Sequence, residues 1–179
     1  FHSFHQFNVG EGQRVYFANP VGIENILSRV TGTNLSNILG TLGVEGEANL
    51  FLLNPNGIIF GENASLDVGG SFLGSTADSI LFDDGEFSAV DLDNPPLLTI
   101  NAPIGLGIRD NPGDIVNQSV AEDVGLTVPP GESITLVGGN INNLAGGRIT
   151  APGGRVYLGG LSAAGEIGIN SDGSLSFPE

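Results

Sequence analysis

Between Leu136 and Leu161 the chain repeats one pattern: an apolar pair, a Gly-Gly corner, then another apolar run. It appears as Leu136-Val137-Gly138-Gly139-Asn140-Ile141, Leu144-Ala145-Gly146-Gly147-Arg148-Ile149, Pro152-Gly153-Gly154-Arg155-Val156 and Tyr157-Leu158-Gly159-Gly160-Leu161. Short strands joined by sharp, recurring corners are what a solenoid needs, because each turn buries its apolar side only against the next. A β-sandwich asks for longer alternating strands and hairpin dipeptides. The one Asn-Gly dipeptide, Asn56-Gly57, sits in a Pro-containing turn, so the sandwich stands as the alternative fold.

The rest of the chain agrees. Strand-like runs are expected at Arg14–Phe17, Ala48–Leu53, Gly57–Phe60, Ser79–Phe82, Leu97–Ile100, Ser133–Val137, Arg155–Leu158, Glu166–Ile169 and Ser174–Phe177. Turn clusters such as Asn54-Pro55-Asn56-Gly57, Asn94-Pro95-Pro96, Asn111-Pro112-Gly113 and Ser171-Asp172-Gly173 separate them, supplying positive φ or a φ near −65°. Gly22 to Leu42 partly fits a helical period, but Thr31-Gly32-Thr33-Asn34 interrupts it, and loop and short strand are expected there. The apolar residues Ile58, Phe60, Leu66, Val68, Phe72, Ile80, Leu98, Ile100, Ile134, Leu136, Ile149, Val156 and Leu158 are expected to fill the interior. The fold class read from this is all-β, a right-handed parallel β-helix. Its length of 179 residues suits a single domain over 1–179.

Composition removes several functions. Glycine reaches 29 residues with ten Pro, yet 40% hydrophobic and 14% charged residues argue against a solvated coil. The net charge is −15, and the five basic residues are all Arg. Such a surface repels nucleic acid and anionic membrane alike. No apolar run is long enough to span a bilayer, so no stable membrane insertion is expected. Without Cys there is no disulfide, thiolate site or Cys nucleophile, which suits a chain crossing an oxidising periplasm unfolded. The chain opens at Phe1 without a signal-type segment and contains no Met, so it reads as a mature or trimmed piece. Phe177-Pro178-Glu179 offers no terminal cap, and continuation beyond it is expected.

Candidate chemistry is sparse. His2 and His5 alternate with Phe1, Phe4 and Phe7 and lack metal-ligand partners, so a strand capping the open end of the solenoid is expected. Asp83-Asp84 and Asp91–Asp93 are the only acidic groups inviting a polysaccharide-cleaving role; as neighbours in the chain they read more simply as solvated turns. There is no Lys to serve as a base, and neither the calcium repeat nor an EF-hand loop is present. No enzyme activity, metal or cofactor is expected. An adhesive surface would want an aromatic patch, but there is no Trp and only Tyr16 and Tyr157 stand beside the phenylalanines. Asn54–Gly57 is by itself a well-formed β-turn, with Asn at the first position, Pro at the second and Gly at the last.

In order along the chain, five blocks resemble the secretion domain of filamentous-haemagglutinin-type exoproteins. They are Phe1-His2-Ser3-Phe4-His5-Gln6-Phe7-Asn8-Val9, Ser28-Arg29-Val30-Thr31-Gly32, Ser36-Asn37-Ile38-Leu39-Gly40, Asn54-Pro55-Asn56-Gly57-Ile58-Ile59-Phe60-Gly61 and Gly70-Ser71-Phe72-Leu73-Gly74-Ser75-Thr76-Ala77. The Gly-rich region from Gly131 to Leu161 is similar to the cyanobacterial branch of that family. The resemblance implies an N-terminal capping strand, extra-helical β elements and two-partner secretion. In that route an outer-membrane β-barrel of the TpsB (Omp85) type, acting through periplasmic POTRA domains, recognises the extended domain, which then folds outside the cell as the first coils of a larger exoprotein. The product is expected to be a monomer, secreted or at the surface of a Gram-negative-type bacterium. Recognition and folding nucleation are assigned by the resemblance to Asn54, Pro55, Asn56, Gly57 and Ile58, with Arg29, Phe4, Phe7 and Asn8. One departure is clear: the second Asn-Pro-Asn block of the family prototype is missing, and Asn19-Pro20-Val21-Gly22-Ile23 is only a loose echo of the first. An adhesive module and a polysaccharide-cleaving β-helix are the alternative functions.

Overall fold

The structure, a computed structural model, describes residues 2–83, 85–92, 103–161, 163–170 and 174–177. The expected strand Leu97–Ile100, with Leu98 and Ile100, lies outside the described residues, as do Asn94-Pro95-Pro96, Ser171–Gly173, Asp84 and Asp93.

The chain winds over three faces, and one passage over all three makes a coil. Coil 1 carries β1 (His2–Phe4), a bridge from Val9 to Ile38, and β2 (Arg14–Ala18). Coil 2 carries β3 (Asn25–Val30), β4 (Ser36–Ile38) and β5 (Thr41–Glu45); coil 3 carries β6 (Asn49–Leu53), β7 (Ile58–Phe60) and β8 (Ser65–Asp67). Coil 4 starts with β9 (Phe72–Ser75) and then leaves the solenoid for β10 (Ser79–Phe82), β11 (Gly85–Ser88) and β12 (Gly105–Ile108). It returns with β13 (Ile115–Asn117) and β14 (Leu126–Thr127). Coil 5 carries β15 (Ile134–Gly138), β16 (Ile141–Asn143) and β17 (Ile149–Thr150). After β18 (Val156–Gly160) the chain crosses back as β19 (Gly165–Ile169) and β20 (Leu175–Ser176).

Pairing between coils is parallel throughout. The first face orders β1-β3-β6-β9-β15-β18 and the second β4-β7-β13-β16; β2-β5-β8 form the third, where β14-β17 follow on. The architecture is therefore an all-β parallel solenoid of about six turns. The apparent helical period of Gly22–Leu42 resolves into β3 and β4, as the interrupting turn suggested.

Register explains the core. Because side chains alternate across a strand, residues paired between coils stack into columns. Ile26, Leu50, Phe72, Ile134 and Val156 form one inward column on the first face; Ser28, Leu52, Gly74, Leu136 and Leu158 form the next. Gly74 leaves room for its neighbours, since a Cβ there would lie 3.2 Å from the Phe72 ring and 3.3 Å from Leu136. Ile58, Phe60, Leu66, Val68, Ile134 and Leu136 are buried in this interior as expected, and Ile149 is half-buried against it.

Val156 and Leu158 are a correction to the sequence reading: they are 39% and 48% exposed. Their side chains continue the inward columns, but β18 is the last strand of its sheet, so they are covered on one side only. Ile80 is a second correction. It is fully buried, but in a separate core outside the solenoid. There the antiparallel sheet β11-β10-β12-β19-β20 lies over the outer side of the first face, packing Ile80, Phe82, Phe87, Leu106 and Ile167 on Leu27, Phe51, Leu53, Leu73 and Val137. Strands of the first face are consequently apolar on both sides, which is why β6 reads Asn-Leu-Phe-Leu-Leu without alternation.

Candidate functional site: the Asn54–Gly57 corner

The corner between the first and second faces of coil 3 is the turn Asn54-Pro55-Asn56-Gly57, closed by Gly57 N donating to Asn54 O at 3.1 Å. Pro55 fixes the second position, and Gly57 takes φ 135°, where a Cβ would be strained. Asn54 is fully buried and every polar group on it is engaged. Its Oδ1 accepts from Asn56 N (3.0 Å) and Asn56 Nδ2 (2.9 Å). Its Nδ2 donates to Ser36 Oγ (2.9 Å) and to Asn34 O (3.1 Å) in coil 2. Its backbone N–H donates to Ser75 O in coil 4 at 2.9 Å. Asn56 adds a bond from Nδ2 to Gly32 O at 2.8 Å. The two asparagines thus staple coil 3 down onto the corner of coil 2.

Coil 4 covers the same corner from above, and here its chain departs and returns. Thr76 Oγ1 donates to Gly113 O at 2.6 Å, closing the neck of the excursion. Gly113 N donates to Pro55 O at 3.2 Å and Ile58 N to Asp114 O at 3.1 Å. A Cβ on Gly113 would lie 2.6 Å from the Asn56 carbonyl carbon, so only glycine fits so close to the turn. Arg109 binds both legs of the neck to the corner: Nη2 donates to Pro55 O (3.3 Å) and Nε pairs with Asp78 Oδ1 (3.5 Å). Burial pushes the Asp78 carboxyl above its usual range; Arg109 opposes that shift and Glu86 adds to it.

The remaining residues assigned by resemblance lie elsewhere. Phe4 and Phe7 pack with Phe17 at the start of the solenoid, ring centroids 5.1 to 6.2 Å apart, beneath His2, 4.9 Å from Phe17. This aromatic lid sits where a capping strand was expected, and β1 pairs in parallel with β3. Burial holds the His2 imidazole below its usual range. Asn8 Oδ1 accepts from Asn37 N at 2.9 Å. Arg29 projects outward from β3 under the antiparallel sheet. It donates to Ser3 Oγ at 3.0 Å and to Ser88 O, and its guanidinium lies 4.6 Å from the centre of the Phe87 ring. It fastens the cap and the outer sheet to the solenoid rather than joining the corner.

The acidic candidates do not meet in a catalytic pair among the described residues. Asp83 is exposed beside a hairpin turn; Asp91 borders an open cleft of about 340 Å³ together with Asp78, Glu86 and Glu166. No group of three potential metal ligands occurs among the described residues. Sequence reasoning missed Thr76, Asp78, Arg109 and Gly113 as parts of the corner. The available signal was Asn111-Pro112-Gly113, a second Asn-Pro cluster ending in glycine, whose Gly113 the fold places against the Asn54–Gly57 turn.

Comparison with known proteins bears on the family and the fold. The TPS secretion domain model matches residues 1–177. The haem/hemopexin-binding protein of Haemophilus influenzae is 38% identical over 69 residues, which are 38% of this chain and 7% of that protein. The HMW1 secretion domain from Haemophilus influenzae superposes with a TM-score of 0.69 at 25% identity, over 98% of this chain and 41% of that one. The chain therefore spans well under half the length of either relative. With a match over nearly its whole length, a solenoid of the same kind and the Asn-Pro-Asn-Gly corner in place, the chain belongs to the TPS secretion domain family, a non-catalytic module of two-partner secretion.

Proposed function

We propose that residues 1–179 form a single secretion-targeting and folding-nucleation domain, recognised by a TpsB-type outer-membrane transporter through its POTRA domains during export of a larger exoprotein. The carrying observation is the complete internal engagement of Asn54: its side chain is buried and all its polar groups are bonded within the domain. Whatever a transporter reads at these residues it reads before folding, when the extended backbone is free to add as a strand to a sheet edge. Once coils 2 to 4 close around the corner, the segment is withdrawn and cannot slide back. Folding outside the cell thereby favours export without ATP. The product is a monomer that crosses the periplasm and ends secreted or at the surface of a Gram-negative cell. The cyanobacterial affinity rests on the Gly131–Leu161 region alone; the two relatives named above are from Haemophilus.

The test is co-expression with the cognate transporter, scoring what reaches the medium. Asn54→Ala and Pro55→Ala lower secretion sharply, while Glu47→Ala, at an exposed position, secretes normally. Export of both corner variants at wild-type rates would reduce the motif to an ordinary turn.

A further inference from the structure

Asn117 ends β13 at the next corner of coil 4 and, like Asn54, is fully buried. Its Oδ1 accepts from Ser119 N at 3.0 Å, two residues on, repeating the local geometry of Asn54 and Asn56. Its Nδ2 points the other way along the solenoid. Asn54 donates to Asn34 and Ser36, which precede it by 20 and 18 residues. Asn117 donates to Asn143 Oδ1 (3.1 Å) and Arg148 O (3.0 Å) in coil 5, which follow it by 26 and 31 residues. Ser119 meanwhile is tied back to coil 3 through Oγ to Ala64 O.

We propose that Asn117 is a second staple, and that the opposed directions of the two amides set the order in which the coils lock. A chain leaving the membrane from its N-terminal end presents Asn54 to partners already outside. Asn117 arrives before its partners do. Until residues 143–148 dock, the Asn117 amide stands at the open end of the stack and bonds water; docking buries it and supplies Asn143 Oδ1 and Arg148 O as acceptors, a contact that forms only with coil 5. Asn54 is thus a residue of the nucleus and Asn117 a residue of the final lock. This rests on the export reading above and adds to it a positioning residue outside the Asn-Pro-Asn-Gly signature.

The test uses the purified domain, with refolding and unfolding rates after denaturant jumps and amide exchange by residue. Contacts formed in the nucleus change the folding rate; those formed later change the unfolding rate. Asn54→Ala slows refolding about tenfold with unfolding nearly unchanged. Asn117→Ala leaves refolding within about twofold and speeds unfolding about tenfold. Its exchange protection falls first at Leu144 and Arg148, whose amides bond Asn117 O and Ser119 O, while Ser36 and Gly57 keep theirs. Asn143→Ala, at an exposed position, gives the same pattern at about threefold and serves if Asn117→Ala does not fold. The proposal is overturned if Asn117→Ala slows refolding as much as Asn54→Ala does, or if protection falls evenly over all coils. Failure of the export reading would appear in the transporter assay and leave these rates as they are.

Discussion

Arg109 and Pro55 stand 54 residues apart in the chain and meet through one hydrogen bond of 3.3 Å from the guanidinium to the proline carbonyl. The same guanidinium pairs with Asp78 on the outgoing leg of the excursion, so one side chain joins both legs to the corner below. Its side chain is 43% exposed, which screens the ion pair and keeps its worth small. Arg109→Ala is expected to cost about 1 kcal/mol in urea unfolding. The specific sign is faster amide exchange at Gly113, with little change at the N-terminal cap.

Asn54→Asp separates the two halves of the Asn54 bond set. A carboxylate still accepts from Asn56 N, and the Ser36 hydroxyl can turn to donate to it, but its charge faces the Asn34 carbonyl where an amide N–H stood. The loss at neutral pH is expected to be about 3 kcal/mol, the scale of an uncompensated buried charge. Burial raises the folded-state pKa of the new acid, so the loss shrinks as pH falls and the carboxyl regains a proton to donate. A urea midpoint that moves no closer to wild type on acidification would refute this account.

Asp78 gives the native domain a pH dependence of its own. Its folded-state pKa is raised, mainly by burial, above the unfolded carboxylate value. The stabilising contribution is fully present below the unfolded value and is lost as pH rises through the folded one. Stability should therefore decline from about pH 4 upward and level off once Asp78 is ionised in both states. Asp78→Asn should flatten that segment of a midpoint-against-pH curve while the contribution of other carboxylates persists.

Leu136 and Leu158 are paired in register on adjacent coils, yet one is fully buried and the other 48% exposed. Leu136→Ala is expected to cost about 2–5 kcal/mol, as for deep core truncations. Leu158→Ala should cost less than about 1 kcal/mol, since its cavity is already open on one side. Thermal or urea melts of the two variants decide it.

That pair also marks how far the sequence could be read. The eight expected runs within the described residues each fall within two residues of a strand, and β10 falls on Ser79–Phe82 as expected, but strands such as β5, β9, β12 and β13 were not read from the sequence. What periodicity cannot carry is position in the stack. Val156 and Leu158 have the pattern of core residues, but burial in a solenoid depends on whether another coil follows. Ile80 was legible as buried and illegible as belonging to the outer core, because that core is made by a strand returning from residues 165–169. The Asn54 turn was legible from local chemistry alone. Arg109, Asp78 and Asn117 were not, since their partners are set by coil stacking over separations that no local pattern encodes.

The neck at Thr76 and Gly113 has a consequence for how this fold can vary. Both legs leave the same corner and are bonded to each other there, so the coil below and the coil above stack as if the chain had simply turned. Lengthening or shortening what lies between them changes loop-closure entropy only slowly, by about 0.6 kcal/mol for each doubling. The solenoid pitch is indifferent to it. What is not free to vary is the roof: Leu27, Phe51 and Leu73 would face water if the excursion were deleted. A graft at this site must therefore bring its own apolar underside, or those three side chains must become polar with it.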